Sequence, residues 1–207
     1  SDVYKRQAPS AAPDVQSALS KISSAQAGNW ELSLYQKVTM GAGQHANNAL
    51  LNETPDPITK VTWDNYVTMA AADMEEMGLQ TYIGQCDCAS LVTVTVAGKS
   101  LTLPAFPTPG QKRKTIGIAL GYGRGEGNEE IGKAAYQTEK YGAHIMNGDK
   151  RTPIGQNAFL LTSLKDGFVS YNSSDVSIAK AEGTYAIATT QMHNTVMGRD
   201  SVIKETT

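Results

Sequence analysis

The sequence predicts a mainly β protein with short helices, folded as a small closed barrel that carries helical insertions. Its apolar residues recur in short runs with a period of two, as at Val92, Val94 and Val96, which is typical of half-buried strands. Strand-like and helix-like segments do not alternate regularly, which argues against a doubly wound parallel sheet. A barrel fits because closure removes the exposed edges that such short strands would otherwise leave.

The first 28 residues are expected to lie outside this barrel, which we assign to residues 29–207. Residues 1–7, SDVYKRQ, resemble translated sequencing-adapter sequence, so we treat them as an artefactual start and expect the chain to be a fragment. Residues 8–28 are rich in Ala, Ser, Pro and Gln, which indicates a flexible or helical connector. Pro13 and Asp14 are suited to opening a short helix there.

In the first half of the barrel domain, the sequence predicts two strands, one loop and one helix. Apolar residues alternate with polar ones over 30–34, which indicates a half-buried strand. Residues 41–57 have the Gly, Asn and Pro content of a loop. A short buried strand follows over 66–69, and a helix over 70–77 that ends at Gly78.

The second half predicts two hairpins. The first spans 91–105 with its loop at Gly98-Lys99, and the second spans 176–189 with its turn at Glu182-Gly183. Between them we expect a strand ending in the glycine-rich turn described below. A helical insertion is predicted near 126–154.

Composition and motifs exclude several functional classes. The chain is 40% hydrophobic and 18% charged with a net charge of -2, which predicts no basic face for nucleic acid. No apolar run approaches the roughly 20 residues of a membrane helix. Cys86 and Cys88 are too few for a metal cluster and are interpreted as loop thiols. No nucleophile–base signature of a hydrolase is found.

The segment GYGRGEG, from Gly121 to Gly127, is the first candidate site. It lacks the third glycine of a dinucleotide-binding turn and the Gly-Lys of a P-loop. Glycines expose backbone N–H groups to an anion, and Arg124 is suited to a charge-assisted contact with a phosphate or carboxylate. The alternative is a turn that requires glycine only for a positive φ.

Two further segments are candidates with the same ambiguity. Trp63, Asp64 and Asn65 precede a strand, where the polar pair is suited to a base edge or, alternatively, to local turn hydrogen bonds, with Trp63 as a plug. His193 follows the last predicted strand and faces either a cofactor or a packed neighbour. The basic run 112–114 is interpreted as a solvated loop, the alternative being a dock for an acidic partner.

Several segments occur in an order that resembles a known family. They are the entry segment over 29–53, then DPITKVTWDNYVTM, ALGYGR, GQNAF, MHNTVMGR and VIKETT. Together they resemble the dinucleotide-site domain of molybdopterin oxidoreductases. More narrowly, they resemble the pterin-like half of the iron–sulfur subunit of alternative complex III, a quinol-oxidising respiratory complex. The resemblance covers most of residues 29–207 and implies a six-stranded double-psi β-barrel.

The resemblance also implies where chemistry would lie. In catalytic relatives the molybdenum ligand lies far upstream and the cysteine motifs for iron–sulfur clusters lie downstream, so no catalytic residue and no metal ligand is assigned in this segment. If a pterin dinucleotide were bound, the matching positions would contact it; these are Trp63, Asp64, Asn65, Gly121, Gly123, Arg124 and His193.

Three functions are compatible with this resemblance. The first is a non-catalytic structural module at the periplasmic face of the bacterial inner membrane, bound to cytochrome c and quinol-binding membrane subunits, with iron–sulfur clusters expected downstream. The second is the cofactor domain of an active molybdopterin-dependent oxidoreductase of the polysulfide or formate type. The third is a free-standing small-ligand barrel. Departures from the family at 49–51, 126–154 and around Cys86 favour the first, because each alters a loop at the barrel mouth.

Overall fold

The computed structural model describes residues 15–16, 28–84, 87–124, 154–165 and 167–191, and it is mainly β with few short helices, as predicted. Helix α1 spans Ala49–Glu53, helix α2 spans Ala71–Glu76, and a 3-10 helix spans Ala158–Leu161. The strands are β1 Glu31–Tyr35, β2 Val67–Met69, β3 Ala89–Val96, β4 Lys99–Pro107, β5 Thr115–Ala119, β6 Ser163–Lys165, β7 Phe168–Ser170, β8 Asn172–Ser173 and β9 Val176–Tyr185.

Seven strands form one mixed sheet in the order β8-β1-β5-β2-β4-β3-β9. β1 pairs with β5 and β2 with β4 in parallel, and the antiparallel pair β2·β5 joins these two units. The flanking pairs β1·β8, β3·β4 and β3·β9 are antiparallel. β6 and β7 form a separate two-stranded hairpin. The centre of the sheet therefore joins strands that are distant in sequence.

One face of this sheet forms the main core. The alternation predicted for β3 is confirmed, because Val92, Val94 and Val96 are buried while Thr93 and Thr95 are partly exposed. Other strands and α2 complete the core with side chains that are at most 1% exposed; these include Val67, Met69, Met74, Leu103 and Ile118. Each fully buried aliphatic side chain contributes about 1.5–3 kcal/mol, so the core holds the distant strands together.

The predicted helix after β2 and its glycine stop are confirmed. Gly78 has φ of +64° and follows the last helical turn of α2. The N–H of Leu79 donates to the Met74 carbonyl at 2.8 Å, and the N–H of Gly78 donates to the Glu75 carbonyl at 3.0 Å. This pair of hydrogen bonds satisfies carbonyls that the end of a helix otherwise leaves unpaired.

The loop predicted over 41–57 is wrong in one part, because it contains α1. Asn48 precedes this helix, and its side-chain oxygen accepts a hydrogen bond from the Leu51 N–H at 3.2 Å. The Thr54 N–H then donates to the Leu50 carbonyl at its other end. An N-cap Asn was the available signal, and the surrounding Gly and Pro residues concealed it.

The second predicted hairpin is also wrong, since β9 continues through Glu182-Gly183 without turning back. β9 pairs with β3 along its length, with a register shift between Ser90 and Val92. Gly183 has φ of +87° within this shift. The glycine therefore supports a bulge in one long strand, and a local sequence pattern does not distinguish a bulge from a turn.

Some predictions lie outside the described residues. They are residues 126–153 of the predicted insertion, His193, Cys86 and most of the N-terminal connector, of which only Val15, Gln16 and Gly28 are described; Val15 and Gln16 are exposed helical residues. Cys88 is an exposed free thiol. In the described ranges no helix is long and apolar enough to cross a membrane.

The basic turn before β5 is tied to α2 by a buried carboxylate. Asp73 is 0% exposed, and its Oδ1 accepts a hydrogen bond from the Arg113 Nε at 2.9 Å. Its Oδ2 accepts from the Lys114 backbone N–H at 2.6 Å, and Lys114 has φ of +60°. Glu76 lies beside both cations and adds two ion pairs. The interpretation of this run as a solvated loop is thus incomplete, because two of its three side chains join the turn to the helix.

The environment of Asp73 favours its ionised form. Burial opposes ionisation, but the hydrogen bonds from the Lys114 N–H and the Arg113 guanidinium, together with the two positive charges, outweigh it. The pKa of Asp73 therefore lies below its ordinary value. We call the contacts of Asp73 with Arg113 and Lys114 the clamp. The clamp contributes stability above the ordinary pKa of an aspartate, and that stability is lost as the pH falls through the pKa of Asp73 in the folded protein.

We expect Asp73→Asn to lower the free energy of unfolding by about 1.5–3 kcal/mol at neutral pH, because the amide presents a donor where two donors already converge. Urea denaturation at a series of pH values measures this, and the difference from wild type should shrink in acid. Glu75→Gln, an exposed neighbour on the same helix, serves as the control and should change stability by less than about 0.5 kcal/mol. Equal losses in both variants, or a pH-independent difference, would contradict the clamp.

Candidate functional site

The glycine-rich turn after β5 lies where three stretches of backbone meet. A Cβ on Gly121 would lie 2.6 Å from the backbone nitrogen of Gly43, and a Cβ on Gly123 would lie 2.4 Å from that of Asn157. The turn also has positive φ at both glycines, +92° and +66°. Glycine is thus required here for close backbone approach as well as for conformation.

Two backbone donors of this cluster are used within the chain. The N–H of Gly123 donates to the Ile154 carbonyl at 3.1 Å, and the N–H of Gly43 donates to the Met40 carbonyl at 2.9 Å. An anion cradle needs such N–H groups to point at a ligand. At these two glycines the donors instead hold the loops to each other and to their own turns.

The Asn65 side chain joins the end of β5 to the segment over 154–157. Its side chain is 0% exposed, and its Nδ2 donates to the carbonyls of Ala119 and Gln156, each at 2.9 Å. Its Oδ1 accepts from the Gln156 N–H, also at 2.9 Å. A Cβ on Gly155 would lie 2.6 Å from that oxygen. The Asn65 amide therefore joins the end of β5 to the segment over 154–157.

Arg124 lies at the open side of the cluster. It is exposed, and its Nη1 is 2.7 Å from the position that a Cβ on Gly43 would occupy. A shallow depression beside it is lined in part by Asn52, Tyr122 and Gly123. It has room for about one water molecule. This space is far smaller than a dinucleotide.

Asp64 lies in a second, buried cluster together with Lys37, which follows β1. The Lys37 Nζ donates to the backbone carbonyl of Asp64 at 3.2 Å and lies 4.3 Å from the ring centroid of Tyr66 and 5.4 Å from that of Tyr122. The Asp64 Oδ1 accepts from the Tyr185 hydroxyl at 2.9 Å. Both charged residues are buried, at 7% and 5% exposure. No ion pair within 4.0 Å joins the Lys37 ammonium to the Asp64 carboxylate.

Burial shifts both groups toward neutrality. It raises the pKa of Asp64 to about 7, although the Tyr185 hydrogen bond and the Lys37 charge pull it down. It lowers the pKa of Lys37 to about 8, against the attraction of Asp56 and Asp64. Burial likewise raises the pKa of Tyr185. These directions follow from the cost of holding a charge away from water without a direct counter-ion.

Trp63 is half-buried and has φ of +65°, which is unusual for a residue with a large side chain. Its N–H donates to the Asn52 carbonyl at 2.9 Å, which fixes the strained backbone against α1. Lys60, three residues earlier, also has a positive φ of 61°. The segment that leads into Asp64 and Asn65 is therefore held in a conformation that only its neighbours make stable.

The structure brings together most of the residues singled out from sequence. Asn65 contacts Ala119, two residues before Gly121, while Asp64 faces the other way, toward Lys37 and Tyr185. His193 lies outside the described residues. Lys37 and Tyr185 carry no functional signal in the sequence, because a lysine just past a strand is usually solvated and a tyrosine near a predicted turn has no fixed role. In the described part of the chain no group of three His, Cys, Asp or Glu residues is placed to hold a metal ion.

We expect Asn65→Ala to lower the free energy of unfolding by about 2–4 kcal/mol, because it leaves two carbonyls and one N–H at a buried junction without their partner. Thermal and urea denaturation measure the loss. Asn172→Ala, at an exposed position on β8, is the matched control and should be nearly neutral. A neutral Asn65→Ala would show that this junction does not depend on the amide.

Gly121→Ala and Gly110→Ala separate close approach from conformation. The two glycines have similar φ, +92° and +82°, but a Cβ on Gly110 meets nothing within 4 Å. Gly110→Ala should cost about 1–2 kcal/mol through φ alone. Gly121→Ala should cost at least about 2 kcal/mol more, because its Cβ overlaps backbone. Chemical denaturation compares them, and equal losses would mean that the loops separate without penalty.

Comparisons with known proteins assign no chemistry to this site, so its chemistry is inferred from the geometry described above. A scan against protein-family models finds no match for this chain, and a search of the curated proteins finds none either.

Proposed function

We propose that this chain is a non-catalytic, pterin-like structural domain of the iron–sulfur subunit of a quinol:acceptor electron-transfer complex of the alternative complex III type. The observation that carries the proposal is the internal use of Asn65. Its amide is one of the groups that a nucleotide-binding relative would direct at its ligand. Here it makes three hydrogen bonds to backbone groups of Ala119 and Gln156.

The glycine-rich turn supports the same proposal. The N–H groups of Gly43 and Gly123 donate to carbonyls of the chain, and the depression beside Arg124 has room for only about one water molecule. A pterin dinucleotide carries two phosphates that need several donors. In the present arrangement, these residues suit a rigid packing junction better than a dinucleotide site.

We further propose that the sheet is part of a double-psi β-barrel. The support is the pair of parallel units, β1·β5 and β2·β4, joined by the antiparallel pair β2·β5. Parallel pairing of strands that are far apart in sequence requires crossover connections, which a simple meander does not have. Tight packing around Gly121 and Gly123 would then make this domain rigid enough to support an adjoining iron–sulfur domain.

The proposed setting is the periplasmic face of the bacterial inner membrane. There the domain would brace a neighbouring iron–sulfur domain encoded downstream and contact cytochrome c and quinol-binding membrane subunits. In this role its own residues transfer no electron and hold no metal. They form the surface that contacts the iron–sulfur domain and the partner subunits.

The test is cofactor analysis of the full-length subunit purified in its native complex. We expect iron and acid-labile sulfide in stoichiometric amounts, and molybdenum and oxidised-pterin fluorescence far below one equivalent per polypeptide. Copurification with haem-containing and membrane-embedded subunits is expected in the same preparation. Stoichiometric molybdenum or pterin would overturn the scaffold role and support the molybdopterin-dependent oxidoreductase instead.

Two variants in the full-length subunit sharpen this test. Arg124→Ala should leave complex assembly and cofactor content unchanged, because this exposed side chain makes none of the Asn65 hydrogen bonds that join β5 to 154–157. Asn65→Ala should reduce recovery of the subunit in the complex by destabilising the domain. If Arg124→Ala instead released a pterin or a nucleotide, the turn would be a ligand site.

A further inference from the structure

A seam between two distant segments surrounds Asp64. The Thr62 N–H donates to the Ala188 carbonyl at 2.9 Å, and the Thr190 N–H donates to the Lys60 carbonyl at 2.9 Å. Val61 forms an isolated antiparallel bridge with Thr189. The segment over 60–66 is thus closed against the segment over 185–190, which runs on from β9.

Asp64 contributes a buried ionisable side chain to this seam. Its carboxyl receives the Tyr185 hydroxyl from the opposite segment at 2.9 Å, while its carbonyl receives the Lys37 ammonium at 3.2 Å. The carboxyl lacks a direct ion pair and is buried, so its charged form is expensive wherever the seam is closed. Opening the seam would hydrate it.

We propose that Asp64 is a protonation-dependent latch, which keeps the seam between 60–66 and 185–190 closed in its neutral form and loosens it when it ionises. The latch is independent of the function proposed above. The strained backbone at Lys60 and Trp63 supports it, because positive φ at two non-glycine residues stores energy that opening releases. Loosening the seam would therefore expose Trp63 and its neighbours locally, with the β3·β4 core intact.

The charged and titratable groups around the latch set its pH range. Asp64 faces Tyr185 on β9, Lys37 after β1, and Tyr122 after β5, while Asp56 acts on Lys37 from the preceding loop. Tyrosines have pKa values raised by burial and stay neutral across the relevant range. Asp64 and Lys37 are thus the two groups of this cluster that change charge near neutrality, with pKa values of about 7 and about 8.

The two groups act in opposite directions. The closed seam raises the pKa of Asp64 above its ordinary value of 3.8, so raising the pH through that interval, up to about 7, favours opening. It lowers the pKa of Lys37 from 10.5, so raising the pH from about 8 toward that value favours closure again. Opening should therefore be greatest between about pH 7 and pH 8.

Hydrogen–deuterium exchange of the seam amides of Thr62 and Thr190 tests the latch. After division by the intrinsic exchange rate, the opening equilibrium should rise by up to about tenfold per pH unit between pH 5 and pH 7. It should fall again above about pH 8. The amide of Val94 in β3 reports global unfolding and should not follow this profile.

Three variants identify the group that causes the rise in opening below pH 7 and the group that causes the fall above pH 8. Asp64→Asn keeps the shape and an acceptor for Tyr185, and it should abolish the rise below pH 7. Lys37→Met should abolish the fall above pH 8. Tyr185→Phe removes a donor that favours the charged carboxylate, so it should shift the rise to higher pH.

The latch is overturned if wild type shows a flat corrected profile, or if Asp64→Asn retains the rise. It is equally overturned if Val94 exchanges with the same pH dependence, because the transition would then be global unfolding. Tyr185→Phe keeps the test informative should Asp64→Asn fail to fold. A rise at unchanged or lower pH in that variant would exclude Asp64 as the titrating group.

Discussion

The hydrogen bonds of the Asn65 side chain are the constraint on which the candidate site depends. This one amide binds the carbonyl that ends β5 and both polar backbone groups of Gln156. Loops cannot be buried unless their backbone groups find partners, and here a side chain supplies them. The glycines at 121, 123 and 155 then allow the backbones to close around it. The result is a packed junction between the end of β5 and the segment over 154–157.

The neighbouring residue, Asp64, has the opposite character. Asn65 is neutral and fully partnered, whereas the ionisable carboxyl of Asp64 is buried without an ion pair to Lys37, whose ammonium donates to the Asp64 backbone carbonyl. Two consecutive residues thus differ in role: Asn65 holds a packed junction together, and Asp64 carries a carboxyl whose ionised form is unfavourable where it is buried. Under the two proposals above, a structural domain would have one segment, 60–66, whose closure depends on pH. Asp73 shows the contrast, since its two donors and nearby cations make the buried charge favourable.

Much of the local structure was predictable because it depends on neighbours in sequence. The alternation of Val and Thr in β3 and the helix ending at Gly78 both follow from short-range geometry. The errors have equally local causes. Glu182-Gly183 has the chemistry of a turn, and only its pairing with β3 shows that the same glycine makes a bulge. The α1 helix was hidden because its Asn48 cap lies among residues typical of loops.

The sequence by itself determined the class of fold and the segments that carry polar and glycine residues of interest. These properties depend on periodicity and on the intrinsic conformational freedom of each residue. Only the tertiary structure decided what those residues do, because their partners are distant in sequence. Asn65 bonds to Gln156, Asp64 to Tyr185, and Lys37 to Asp64. A hydrogen bond or a buried charge is defined by the groups around it in space, and no local pattern specifies those groups.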